Sequence, residues 1–147
     1  LLMDRNIKQL MIEAPRSFAK STLTKLSAMH HYLFDEGDKV IIIQSKTLRD
    51  AKRRLWDIKE IIEYNQTYKD LFGYHGEQTA DSWREDYIKF KVNGFWVTIL
   101  AAGTGQQVRG ILEGSTRLTL YLLDDPDDED NCKSIDGMND NFSKFLG

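Results

Sequence analysis

The sequence predicts an α/β fold, a mostly parallel central sheet flanked by helices, with a β-hairpin added to it. Three observations carry that expectation. Val40-Ile41-Ile42-Ile43 is continuous and β-branched, as a parallel strand covered on both faces requires. Short apolar runs alternate with longer segments of helical periodicity, the pattern of βαβ units. Asn93-Gly94 stands between two apolar segments, the strongest short-range hairpin signal.

Each element follows in order. Residues 10–13 read as a short buried strand leading into the punctuated stretch Ala14-Pro15-Arg16-Ser17-Phe18-Ala19. A helix is expected over about residues 20–35, with Leu23, Leu26, Met29 and Leu33 on its inner side and Gly37 as its stop. After the strand at 40–43, Thr47 can cap a second helix. Its inner stripe would be Leu48, Ala51, Leu55, Ile58 and Ile62, with Arg49, Lys52, Arg53 and Lys59 mostly outward. Residues 64–86 are polar and carry no assignable element. Residues 87–92 and 95–100 form the hairpin arms. A Gly-rich loop runs from Gly103-Thr104-Gly105 through Arg109-Gly110 to Gly114, and a strand at 119–123 ends in Asp124-Asp125. From Asp127 an acidic loop precedes a weak helix near 138–146.

Composition narrows the function. A chain of 147 residues, 41% hydrophobic and 29% charged, is large enough for one domain with a real core. Net charge is −3, so any nucleic acid contact must come from a local basic patch. One cysteine, Cys132, excludes an internal disulfide and a Cys-rich zinc site, and fits a reducing compartment. No apolar run approaches the roughly 20 residues of a membrane helix, so no membrane partner is expected. The opening Leu1-Leu2-Met3-Asp4-Arg5 is not signal-like, and reads as the start of a fragment of something longer.

Two motifs carry chemistry. Ala14-Pro15-Arg16-Ser17-Phe18-Ala19-Lys20-Ser21 has the length and terminal Lys-Ser of a Walker A loop, set between a strand and a helix. Backbone N–H groups there bind phosphates, Lys20 reaches the β/γ oxygens, and the Ser21 hydroxyl ligates Mg²⁺. Ala14 and Ala19 replace the two consensus glycines, which usually supply positive φ and close approach. The competing reading is a Lys-Ser helix start after a Pro turn. Leu120-Tyr121-Leu122-Leu123-Asp124-Asp125 fits a Walker B strand, in which Asp124 holds Mg²⁺ through water and Asp125 deprotonates the attacking water. Its competing reading is a solvated acidic turn. Together, in this order and with an α/β unit between them, the motifs predict a P-loop NTPase of the ASCE, RecA-like kind with ATP and Mg²⁺ as its cofactors. The chain is read as a single ATPase domain over residues 1–147.

The string Ala14-Pro15-Arg16-Ser17-Phe18-Ala19-Lys20-Ser21-Thr22 resembles the variant Walker A of tailed-bacteriophage terminase large subunits, which tolerate these alanines and place an arginine in the loop. Val40 to Gln44 with Ser45 and the following helix, Phe72-Gly73, Trp83, the hairpin, Gly105 and Arg109-Gly110 are similar to the family's second strand, second helix and central segment. Leu123-Asp124-Asp125 is similar to its Walker B. The resemblance runs from about residue 7 to residue 130, and Ser17 is a departure where glycine is expected. It implies an ATPase motor that pumps double-stranded viral DNA into a procapsid, in the host cytoplasm. The partners implied are the portal protein, the small terminase subunit and further copies in a homo-oligomeric ring. It implies nucleotide contacts from Pro15, Arg16, Ser17, Phe18, Ala19, Lys20, Ser21 and Thr22. Arg16 is then a γ-phosphate sensor or a structural ion-pair partner. It also implies a coupling strand and a nuclease domain beyond Gly147.

Other residues have weaker claims. Arg109, ahead of Arg117, could serve as an arginine finger on a neighbouring subunit. Lys52, Arg53 and Arg54 could meet DNA, but a solvated face balanced by Asp57 and Glu60 is the plainer reading. His30 and His31 read as packing or surface residues, and Trp56, Trp83 and Trp96 as core. Asp124 to Asp130 fails the calcium-loop pattern at Asp130 and Asp136. Two rivals stand beside the packaging motor: a helicase-like, nucleic acid-stimulated ATPase, and a nucleotide-binding interaction module without turnover.

Overall fold

A computed structural model describes Leu10, Ile12, residues 19–106 and residues 117–125. The expected phosphate loop (Pro15, Arg16, Ser17 and Phe18), Arg109 with most of the Gly-rich loop, Cys132, the acidic loop and the weak helix near 138–146 lie outside the described residues. Within them the chain is α/β: three helices against one face of a five-stranded sheet.

Helix α1 (Lys20–Phe34) begins directly after Ala19 and ends at Asp35, whose extended backbone breaks the helical path before Gly37. Its buried stripe is Ser27, Ala28, Met29 and Tyr32, with Leu33 partly buried; Leu26 is 50% exposed, contrary to the expected inner face. Small Ala28 sits in the core where Leu26 was expected. Tyr32 meets Phe90 edge-on at 5.5 Å, and its hydroxyl reaches that of Tyr68.

Strand β1 (Lys39–Ser45) is buried along its whole length, which its run of β-branched residues anticipates. Helix α2 (Leu48–Tyr64) starts where Thr47 Oγ1 accepts the Asp50 N–H at 3.1 Å, and buries Ala51, Leu55, Ile58 and Ile62. Helix α3 (Gln66–Phe72), capped by Asn65, and strand β2 (Ser82–Trp83) occupy the stretch in which no element could be assigned. The hairpin of β3 (Tyr87–Val92) and β4 (Phe95–Gly103) turns at Asn93 (φ 52°) and Gly94 (φ 86°), the two positive angles of a type I′ turn. β4 runs on to Gly103 because, beyond the hairpin, it pairs with β1 in parallel as far as Ser45↔Gly103. β5 (Leu120–Asp124) pairs with the other edge of β1, also in parallel.

The strand order is β2-β3-β4-β1-β5. Only β4, β1 and β5 run parallel; β2, β3 and β4 pair antiparallel, so the sheet is mixed rather than mostly parallel. The main core lies between α1, α2 and the sheet face that carries Ile41, Ile43, Phe90 and Ile99. A second cluster of Ile42, Leu100 and Ala102, with Tyr121, lies on the other face. There Tyr121 donates to Gln44, and burial pushes its phenol up to about 12. Leu10 and Ile12 are exposed and in no strand, so the expected first strand is not formed at its two described positions. Among the described residues, no helix is long and apolar enough to cross a membrane.

Candidate functional site

The register of the three parallel strands sets their carboxyl ends level: Ser45 pairs with Gly103 on one side and with Asp124 on the other. Ligands of open α/β sheets collect beyond such an edge. Helix α2 starts there, immediately after β1, and packs tightly. A Cβ on Gly103 would lie 2.7 Å from the Leu48 nitrogen, so glycine is what lets β4 reach the start of α2. Thr104 donates its N–H to the Ser45 carbonyl at 3.1 Å, and Lys46 donates to the Asp125 carbonyl at 3.3 Å. These bonds tie the loops of the edge to one another.

The first turn of α1 reaches the same edge. Lys20 Nζ lies 3.1 Å from Asp125 Oδ1, so the structure brings together the basic end of one motif and the acidic end of the other. Both side chains keep access to solvent, at 30% and 66% exposure, so the pair is free to exchange partners. Ala19 holds φ 57°, ψ 25°, the left-handed conformation for which a glycine is usual. Ser21 is half-buried and Thr22 exposed in the turn that follows.

The two adjacent aspartates part company. Asp125 sits at φ 46°, a left-handed conformation that aspartate tolerates better than most residues. Asp124 ends the strand and is 4% exposed; its Oδ2 is 2.5 Å from Arg54 Nε of α2. A carboxylate taken so far from water requires a cation or strong donors, and Arg54 meets that need. Arg54 also lies 3.9 Å from Asp57. Beside Asp124, the Ser45 hydroxyl is buried with no hydrogen-bond partner among the described residues. Ile43 and Leu122, two residues back along each strand, share the helix-side core, so both polar side chains face the helices.

Sequence reasoning placed Lys20, Asp124 and Asp125 at this edge but missed Arg54 and Ser45. In the sequence Arg54 reads as one cluster with Lys52 and Arg53 on a solvated face. Its spacing held the correction, because it lies three residues from buried Ala51 and four from buried Ile58, at the border of the inner stripe. Nothing in the sequence distinguishes Ser45 from any serine that ends an apolar strand. Arg117, the alternative finger, is exposed just before β5, at the opposite end from the aspartates.

The donor set suits a hard divalent cation. Asp124 and the Ser45 hydroxyl face each other across the paired strands, Asp125 follows directly, and Ser21 follows Lys20 in α1. Mg²⁺ typically takes one or two carboxylates and keeps several waters. An ammonium and a helix start beside them suit an anionic ligand. Compared with models of known protein families and with curated proteins, the chain matches none.

Proposed function

We propose that the chain is a P-loop ATPase domain of the ASCE, RecA-like kind, and that its ATP hydrolysis drives double-stranded viral DNA into a procapsid as a terminase large subunit. One observation carries the ATPase reading: Lys20, at the start of α1, lies against the carboxylate of Asp125, the residue that follows β5, across a separation of 105 residues. The retained left-handed turn at Ala19 supports it, because the backbone keeps a glycine-like geometry despite the side chain. The packaging role, with portal protein, small terminase subunit and a ring of copies in the host cytoplasm as its setting, rests on the resemblance of the two motifs and the segment between them.

In this reading Lys20 binds the β/γ-phosphate oxygens, and backbone N–H groups of the turn and of α1 take up the remaining charge. Bound Mg²⁺ would neutralise developing charge on the phosphates, held by Ser21 and Asp124. Lys20 leaves Asp125 when it engages a phosphate, which frees the Asp125 carboxylate to orient a water and accept its proton. Arg54 pairs with Asp124 and fixes its direction. Arg16 would sense the γ-phosphate, and Arg109 would reach a neighbouring subunit's nucleotide.

The test is phosphate release with Mg²⁺, with and without double-stranded DNA, in the full-length protein. Lys20→Ala should abolish turnover. Asp125→Asn should retain nucleotide binding and slow hydrolysis by about 10² or more. Hydrolysis by Asp125→Asn at the wild-type rate would remove Asp125 from its role. Strand separation without dependence on portal protein would favour the helicase-like rival, and binding without turnover in the intact protein would favour the interaction module.

A further inference from the structure

Helix α2 also presents a face away from the core. Opposite its buried stripe it lines, with the corner before β3, a groove of about 710 Å³. Arg49, Lys52, Arg53, Trp56 and Lys59 supply the helical wall and Glu85 the other. From Arg49 to Lys59 the wall extends roughly 15 Å along the helix.

The charges in this groove are unevenly engaged. Lys52 pairs with Glu85 at 3.1 Å, and Lys59 lies 5.0 Å from the centre of the Trp83 ring. Asp50 is held by the Thr47 hydroxyl at 2.6 Å. Arg49 and Arg53 are exposed and have no acidic partner among the described residues. They lie four residues apart, where like charges on a helix repel. Acidic residues outnumber basic ones 23 to 20 in the chain, so this patch opposes the overall charge. Between these cations Trp56 is 55% exposed, although tryptophan usually buries most of its large apolar surface.

We propose that this groove binds a single strand of nucleic acid, with its phosphates on Arg49 and Arg53 and a base stacked on Trp56. Guanidinium groups present a fork that matches phosphate oxygens. An exposed ring among cations offers the stacking platform that single strands use without regard to base identity. A duplex keeps its bases inside and would leave Trp56, which Lys59 approaches to 6.0 Å, without a stacked base. An acidic peptide would satisfy the arginines and not the ring. None of the groove residues belongs to the Lys20–Asp125 or Arg54–Asp124 pairs, so the inference goes beyond the ATPase reading and stands or falls separately from it.

The experiment is fluorescence anisotropy of a fluorescein-labelled oligothymidylate titrated with the whole chain, without nucleotide, alongside tryptophan fluorescence. The expected result is salt-sensitive binding that quenches tryptophan emission, with a log–log salt slope near −0.7 for each phosphate contact. Arg49→Glu with Arg53→Glu should weaken binding at least about 10-fold and flatten that slope. Trp56→Ala should weaken it about 10-fold, and Trp56→Phe should restore most of the loss. All three positions are exposed, so thermal unfolding should not move, which separates lost binding from lost folding. Equal competition by a duplex of the same length, or unchanged affinity in Trp56→Ala, would overturn the proposal. Nucleotide binding measured on the same variants should be unaffected.

Discussion

Ala19 pays a conformational cost that glycine would not. Its left-handed backbone disfavours an L-residue with a Cβ by about 1–2 kcal/mol, whereas glycine gives back part of that through unfolded-state entropy. Ala19→Gly should therefore stabilise the fold by up to about 1 kcal/mol, read as a higher urea midpoint at unchanged slope. A lower midpoint would mean that the left-handed turn is not populated in solution. Arg54 acts in the opposite sense. Its loss leaves the Asp124 carboxylate 4% exposed and uncompensated, so Arg54→Ala should cost about 2 kcal/mol or more. Lys20→Ala, which breaks a solvent-exposed pair, should cost less than about 1 kcal/mol. Chemical denaturation of the two variants side by side checks that order. Arg54 was hidden in the sequence because three consecutive basic residues look like one surface cluster. The helical period separates them, setting the third beside the buried stripe of Ala51 and Ile58.

Among the elements, those with long periodic patterns were readable and the short ones were not. α1 and α2 start within a residue of their expected positions, and Asn93-Gly94 forms the hairpin turn it signals. α3 has seven residues and β2 has two, too few for a period to show against a polar background. On α1 leucine spacing suggests one inner stripe, whereas the stripe that packs in the core carries Ala28, Met29 and Tyr32, the last paired with Tyr68. Trp56 was expected inside and lies outside, because Ile58 and Ile62 already fill the inner stripe.

The packing of α3 and α1 also makes a pH prediction. His75 is half-buried against Tyr68 and Phe90, and burial holds its pKa below the usual 6.5. His31 is lowered likewise, because burial outweighs the opposing Asp35 carboxylate. Both imidazoles bind protons more weakly folded than unfolded. Their contribution to stability is thus complete above pH 6.5 and is lost as pH falls below it toward the folded values. Tm followed from about pH 7.5 to about pH 5.5 should fall, and His75→Gln should flatten the decline. A Tm that rises on acidification would contradict the burial of both rings.

At the scale of the whole molecule, the α/β class was legible because a buried parallel strand and two amphipathic helices each leave a distinct pattern. The mixed pairing was not, since strand order depends on which edges meet and side-chain alternation is silent on that. The level alignment of Ser45, Gly103 and Asp124 follows from that pairing and governs what the chain can tolerate. Strand residues alternate sides, so one residue inserted or deleted within β5 would turn Asp124 to the face opposite the three described helices and strip Arg54 of its buried counter-ion. Conservative exchanges such as Leu122→Ile leave the phase intact. A scan of length changes against substitutions should find β5 permissive in spelling and strict in count, with folded yield as the readout.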